Sequence, residues 1–130
     1  MSIEANKALI RRFVDQVRNG GNLDAIAELA VPNKVDELRR SAVLLTNAFS
    51  DYEVWIDELI AEGDRVVMRA TQRGIHTGFW FGLPPTGKRV EWTVIRIFRI
   101  ADGRIADTWF ASDQPGLLRQ IGAVVVPGPA

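Results

Sequence analysis

The chain has 130 residues, of which 47% are apolar and 25% are charged, the proportions of a single globular domain. Its 16 basic and 16 acidic residues cancel, so the basic surplus that phosphate backbones require is missing and nucleic acid is excluded as a main partner. The absence of cysteine excludes disulfides, zinc–thiolate sites and thiol nucleophiles.

The first part of the chain is predicted to be helical. Apolar residues recur every three or four positions over residues 3–18, which indicates an amphipathic helix. Gly20 and Gly21 end this helix, and Asn22 is expected to cap a short second helix that Pro32 ends.

A third helix is predicted after Pro32. Asn33 and Asp36 have the spacing of a capping pair at its start. Its predicted apolar face consists of Leu38, Ala42, Leu45 and Phe49.

The second half is predicted to be an antiparallel sheet, because alternating apolar and polar residues are separated by Gly-containing turns. The predicted strands are residues 52–60, 65–76, 89–100 and 104–111. Residues 77–88, with Pro84 and Pro85, are expected to be a bent connection. Asp113 is expected to cap a last helix, and the tail 123–130 to be mobile or to pack on a neighbour.

Helices first and a meander afterwards define an α+β fold in which helices cover one face of a strongly curved, mostly antiparallel sheet and can enclose a pocket. Four segments carry a resemblance: RGIHTG (73–78), GLPPTGKRVEW (82–92), IFRIADGRIADTW (97–109) and DQPGLLRQIG (113–122). They resemble the SnoaL-like polyketide cyclase family, within the nuclear transport factor 2-like superfamily of cone-shaped domains.

The resemblance covers nearly the whole chain and implies one domain over residues 1–130. It further implies a homodimer with a deep apolar pocket in each subunit, no metal and no cofactor. The implied activity is intramolecular aldol ring closure of a polyketide-like intermediate, with an aspartate moving the proton. Because no segment is a signal peptide or long enough to span a membrane, the expected location is cytoplasmic, with no membrane partner.

The positions at which the family carries its proton-transfer residues are different here. The residue after Trp109 is Phe110, where the resemblance leads us to expect an aspartate, and the second polar position is Arg96. Phenylalanine cannot exchange a proton, and arginine keeps its proton at neutral pH. The sequence therefore predicts a site without the usual acid/base aspartate, in which Arg96 holds a carboxylate or stabilises an oxyanion.

Alternation along the strands predicts which other side chains face the pocket, once positions 96 and 110 are placed there. Gln72 is expected to be a second polar contact and is assigned with Arg96 to the catalytic group. The predicted substrate-binding residues are Phe13, Met68, Trp80, Trp92, Phe98, Thr108 and Phe110. The expected ligand is an apolar or aromatic small molecule that bears carbonyl or carboxylate oxygens.

Some alternatives stay open. Arg96 needs a carboxylate partner if buried, and either the protein or a ligand can supply it. The single histidine, His76, is predicted to be structural. Beside a cyclase or isomerase, the sequence allows a non-catalytic ligand-binding protein, or a dimeric scaffold with a collapsed pocket. The dimer is expected to form through the outer sheet face, with Ile95 and Ile97.

Overall fold

The computed structural model describes residues 2–123, so the tail predicted from residue 123 onward lies outside the described residues except for Ala123. The α-helices are α1 (Ile3–Phe13), α2 (Ile26–Leu29), α3 (Val35–Ala48) and α4 (Gln114–Gln120). The strands are β1 (Phe49–Glu62), β2 (Arg65–His76), β3 (Arg89–Ala101) and β4 (Arg104–Ser112). The predicted α+β architecture, helices packed on a curved antiparallel sheet, is confirmed.

The predicted first helix is confirmed, and it changes its winding at its C-terminal end. Ser2 caps α1 by accepting a hydrogen bond from the Ala5 amide at 3.0 Å. After Phe13 the helix continues as a π-helix over Val14–Asn19. The predicted apolar stripe is buried from its second member onward, at Ile10, Phe13, Val14 and Val17. Such π-turns are frequent at functional sites, and two residues of this one, Val14 and Arg18, line a cavity.

The start of α3 differs from the prediction. Asn33 lies inside a 3-10 turn, Pro32–Lys34, and no side chain caps the helix. Asp36 instead lies 3.7 Å from Arg39, one turn further along. The expected capping pair is therefore not formed, because the turn after the proline places Asn33 one residue too far from the helix start. The predicted cap at Asn22 is present, since its side chain accepts a hydrogen bond from Ala25 at 3.3 Å.

The end of α3 also differs from the prediction. Phe49 was assigned to the helix by its spacing, but it is the first residue of β1, three residues before the predicted start of that strand. Its ring packs against Trp80 and Trp92 at centroid distances of 5.2 and 4.9 Å. Phe49 has the spacing of the helix's apolar face, but its packing in this aromatic cluster places it in the strand.

The sheet is a meander in the order β1-β2-β3-β4, and all neighbouring strands are antiparallel. Asp102 and Gly103 have positive φ angles, 51° and 74°, as the tight turn of the predicted β3–β4 hairpin requires. Asp113 caps α4 as predicted, accepting a hydrogen bond from Gly116 at 3.0 Å.

The predicted alternation decides which side chains face the helices. On β2, Met68, Ala70 and Gln72 are buried, whereas Arg69 and Arg73 are exposed. The main core lies between α1, the π-helix, α2 and α3 and this inner sheet face. A second cluster, near α4 and the first residues of β3, contains Phe49, Trp80, Trp92, Leu117 and Ile121.

Candidate functional site

A cavity of about 430 Å³ opens between the inner face of the sheet and the helices. Pockets of a few hundred cubic ångströms are typical of small-molecule sites. Apolar and aromatic side chains make up most of its wall. The lining includes Phe13, Val14, Arg18, Ser41, Leu44, Tyr52, Met68, Gln72, Trp80, Phe81, Trp92, Val94, Arg96, Phe98 and Phe110. The large side chains that face inward, such as Trp92 and Phe98, therefore do not fill the pocket.

Arg96 occupies the middle of the sheet floor. It faces Met68 on β2 and Phe110 on β4 in the strand register, and only 9% of its surface is exposed. Its guanidinium donates a hydrogen bond from Nη1 to the Thr108 hydroxyl at 3.1 Å and lies 4.6 Å from the Phe110 ring centre. Burial, and then the positive charge of Arg18, lower the pKa of Arg96 to about 9, so it keeps its charge at neutral pH.

A second buried arginine, Arg18, lines the same cavity from the π-helix. Its Nη2 donates a hydrogen bond to the Ser41 hydroxyl at 3.2 Å, and the guanidinium lies 5.3 Å from the Phe13 ring centre. Its Nη1 is buried and has no hydrogen-bond partner among the described residues. Burial lowers the pKa of Arg18. Two desolvated cations thus share one cavity.

Arg18 was missed at the sequence level, although the signal was present. It follows Val14 by four residues and so continues the apolar stripe of the first helix. Charged residues on such a stripe are rarely buried unless they have a partner. An arginine in that position marks either a buried ion pair or a ligand site.

Tyr52 and Gln72 form a neutral polar pair in the cavity wall. The tyrosine hydroxyl donates a hydrogen bond to Oε1 of Gln72 at 2.5 Å. Desolvation raises the pKa of Tyr52 to about 12, so the hydroxyl stays protonated and remains a donor. The bond fixes the Gln72 amide with its NH₂ group free to donate. Tyr52 was also missed, because it lies in the β-bulge between Ser50 and Glu53, where simple alternation does not tell which face a side chain takes.

The exposed lining residues mark the mouth of the cavity. Phe110 and Phe81 are 63% and 71% exposed, and Leu44 is 43% exposed. Trp80 packs edge-on against Phe81 at 4.7 Å between ring centres, and its buried indole Nε1 has no partner among the described residues. The exposed rim of the cavity is therefore largely aromatic, and the buried Arg96 lies directly beneath one of its rings, Phe110.

Most of the predicted site residues line this cavity. These are Arg96, Gln72, Phe13, Met68, Trp80, Trp92, Phe98 and Phe110. Thr108 is absent from the lining and contacts Arg96 instead, because it lies opposite Phe98 toward the β3–β4 turn. His76 is buried outside the lining, where Nδ1 lies 3.0 Å from the Thr86 hydroxyl.

Within residues 2–123, the cavity lining contains no aspartate, glutamate, histidine or lysine. None of its side chains can therefore act as a proton acceptor near neutral pH. In the same part of the chain, no group of three histidine, cysteine or carboxylate side chains is placed to hold a metal ion. No helix of the described chain is long and apolar enough to cross a membrane.

The fold and its enclosed cavity define an α+β cone with a small-molecule site between sheet and helices. The family model of the SnoaL-like polyketide cyclases matches residues 8–121. The chain belongs to that family.

Curated relatives are cyclases. Aklanonic acid methyl ester cyclase DauD of Streptomyces sp. (strain C5) is 32% identical, and the alignment covers 88% of this chain and 80% of the relative. Nogalonic acid methyl ester cyclase of Streptomyces nogalater is 28% identical over 80% of this chain and 88% of its own length. The solved structure of TsrD from Streptomyces laurentii superposes with a TM-score of 0.87 at 28% identity, covering 95% of this chain and 99% of TsrD. These relatives support a cyclase-type function in general.

Proposed function

We propose that this protein catalyses the cyclisation or isomerisation of a polyketide-like intermediate in an apolar pocket, without the aspartate that the family usually employs. The observation that carries the proposal is the pair of buried arginines, Arg18 and Arg96, in an aromatic cavity on a scaffold whose relatives are cyclases. Such a pocket can orient a flexible substrate and stabilise negative charge on its oxygens.

In an aldol ring closure, negative charge first appears on an enolate oxygen and then on the alkoxide. The Arg96 guanidinium, fixed by Thr108 and stacked on Phe110, is a preorganised donor for such an oxygen. Gln72, fixed by Tyr52, offers its amide NH₂ to a second carbonyl. The two groups would hold the reacting carbonyls in one geometry, which favours one ring closure over others.

The proton balance of this reaction requires no protein base. A C–H group between two carbonyls is acidic enough that a nearby cation favours loss of its proton to water. The carbanion carbon then bonds to a carbonyl carbon of the same molecule, and the resulting alkoxide takes a proton from water. The product is an isomer of the substrate, and the protein contributes shape and positive charge.

The compounds in the relatives' names supply the first test. The protein is incubated with aklanonic acid methyl ester and, separately, with free aklanonic acid, and the products are separated by chromatography and weighed by mass spectrometry. We expect a new product of unchanged mass, formed faster than without protein and lost in the Arg96→Met variant. The proposal also predicts that the profile of rate against pH contains no limb that disappears when a carboxylate of the protein is replaced. A limb of that kind would show that a protein base acts and contradict this mechanism.

A second candidate function is non-catalytic binding of the same kind of ligand. The observation that favours it is Phe110 at the position of the usual aspartate, in a lining without a proton acceptor within the described residues. Tight binding of both compounds with no isomeric product would favour this function over the cyclase. The scaffold alternative, which assumed a collapsed pocket, has less support because the cavity is open.

We further propose that the chain forms a homodimer through the outer sheet face and acts in the cytoplasm without a cofactor. Ile95 is half exposed at the centre of that face, and Trp109 is 47% exposed on the neighbouring strand. Light scattering after gel filtration at micromolar concentration tests the dimer. A dimeric mass that Ile95→Lys converts to the monomeric mass is expected, and a monomeric parent would contradict it.

A further inference from the structure

We infer that the ligand of this cavity carries a free carboxylate, which Arg18 and Arg96 bind together. The inference rests on the site of the proposed function and names its substrate class, an aromatic or polyketide-like acid as opposed to an ester. Four observations carry it: the state of each arginine, the absence of an acid from the described lining, and the chemistry of the surrounding wall.

Arg18 has unused hydrogen-bonding capacity in the wall of the cavity. It is 8% exposed and lines the cavity, and its contacts to the Ser41 hydroxyl and the Phe13 ring account for only part of the guanidinium. Its buried Nη1 has no partner in residues 2–123. A buried donor left without an acceptor is costly, and a charged one more so. A ligand oxygen that a small rotation of the guanidinium brings within reach would remove this cost.

Arg96 is similarly incomplete. Its hydrogen bond to the neutral Thr108 hydroxyl and its stacking on Phe110 do not compensate its charge. The described chain forms no ion pair to Arg96 within 4.0 Å, whereas Arg99, three residues along the same strand, lies 3.0 Å from Asp107. The acid whose negative charge affects the pKa of Arg96 is Glu37, and its carboxylate lies 3.5 Å from the Lys34 ammonium. The carboxylate that a buried arginine requires is therefore left for a ligand to supply.

The two arginines also act on each other. Both line one cavity, and the charge of Arg18 lowers the pKa of Arg96. Two like charges in a desolvated space repel each other, so a single anion between them lowers the energy of both. A neutral ester has no charge with which to offset this repulsion. A carboxylate has two oxygens in one plane, which suits two guanidinium groups.

The rest of the wall describes the remainder of the ligand. Val94 and Phe98 are the neighbours of Arg96 on the inner face of β3, with Trp92 beyond Val94, and Phe13 packs edge-on against Phe98 at 5.9 Å between ring centres. Phe81 and Phe110 form the exposed mouth. A planar aromatic body that lies against these rings with its carboxylate at the arginines would fill this cavity, whereas a small inorganic anion would leave it open.

The test compares a charged and an uncharged form of one probe. Anthraquinone-2-carboxylate and its methyl ester are titrated into the protein, and binding is followed by quenching of tryptophan fluorescence and by calorimetry. We expect the acid to bind about tenfold to a hundredfold more tightly than the ester, the usual range for a hydrogen bond to a charged group. Equal affinities would overturn the inference, and this comparison needs no variant.

Variants then assign the effect to the second arginine. Arg18→Met should lose most of the preference for the acid while its affinity for the ester changes little. Arg18→Lys, which keeps the charge in a variant closer to the parent, should retain part of the preference. The matched control is Arg11→Met, an exposed position on the same helix. An unchanged acid preference in both folded Arg18 variants would contradict the role of Arg18.

The result is separable from that of the proposed function. Tight, selective binding of the acid without any isomerisation of either aklanonic compound would leave the carboxylate site standing and exclude the enzyme. Isomerisation together with equal binding of acid and ester would support the enzyme and exclude the carboxylate site.

Discussion

The outer face of the sheet and the cavity beneath its inner face hold their arginines in different environments. On the outer face, Arg73 lies 3.0 Å from Glu53 and Arg69 lies 3.3 Å from Glu58, and all four side chains are about half exposed. In the cavity, Arg18 and Arg96 are less than a tenth exposed and have no carboxylate partner within the described chain.

The difference teaches what each set of charges contributes. Exposed ion pairs are solvated whether or not they form, so each is worth about 1 kcal/mol or less. Buried, unpaired guanidiniums lower the stability of the ligand-free fold, because their desolvation is not offset. Residues kept at such a cost are characteristic of binding and catalytic sites. Each of the following variants changes either the cavity or an ion pair outside it and leaves the other intact.

The largest effect is expected when the cavity loses Arg96. Arg96→Met removes the charge and fills similar space, so the fold should persist while ligand affinity falls by about 1.5–3 kcal/mol. Calorimetric titration with an aromatic carboxylate measures the loss, and turnover should fall with it. Arg69→Met, on the opposite face, is the matched control. If Arg96→Met binds and turns over like the parent, the assignment of Arg96 is wrong.

A somewhat smaller loss is expected when the cavity gains a carboxylate. Phe110 lies directly opposite Arg96 on β4. In Phe110→Asp the new carboxyl should pair with Arg96, which lowers its pKa and makes it a weak base. We expect anion affinity to fall by about 1.5 kcal/mol, with no gain in rate. Phe110→Asn controls for the lost ring, and a faster Phe110→Asp enzyme would contradict this account.

Changes on the outer face should matter less. Arg69→Met removes the contacts of Arg69 to Glu58 and Asp57, at 3.3 and 3.8 Å. We expect the free energy of unfolding in urea to change by less than about 1 kcal/mol, with ligand affinity unaltered. A loss of affinity in this variant would show that surface charge, and not the cavity arginines, attracts the ligand.

The smallest effect concerns pH. Hydrogen bonds from Arg99 and Lys34 lower the pKa of Asp107 below its value in the unfolded chain. Stability from this carboxylate is therefore present above the unfolded pKa of about 3.9 and is lost as the pH falls through the lower, folded pKa. The difference in unfolding free energy between the parent and Asp107→Asn should shrink below about pH 4. A difference that is constant between pH 3 and pH 7 would contradict the assigned shift.

The fold could be predicted from the sequence wherever periodicity and turn chemistry agree. With Arg96 placed on the inner face by the resemblance, the alternation along β2 and β3 correctly predicted that Gln72 and Phe98 face inward too, because a strand has only two faces. Phe49 was misassigned because its spacing suits a helix, and only its aromatic neighbours, distant in sequence, decide otherwise. Local pattern does not contain that information.

The site could be predicted only in part. The likeness to a known family pointed to positions 96 and 110. Arg18 could have been found only by noticing that a charged residue continues the apolar stripe of the first helix. The bond between Tyr52 and Gln72 depends on a β-bulge, which shifts the register of one strand by a residue. Within residues 2–123, the absence of a carboxylate from the cavity lining depends on packing in three dimensions and could not be read along the chain.

The central claim is that the cavity arginines serve a ligand and not the fold. It is tested most directly by the free energy of unfolding of the parent and of Arg96→Met, each measured without ligand and with saturating anthraquinone-2-carboxylate. Without ligand, the variant should be at least as stable as the parent, and with ligand the parent should become the more stable of the two. A ligand-free variant that is clearly less stable than the parent, with an equal gain from ligand in both proteins, would contradict the claim.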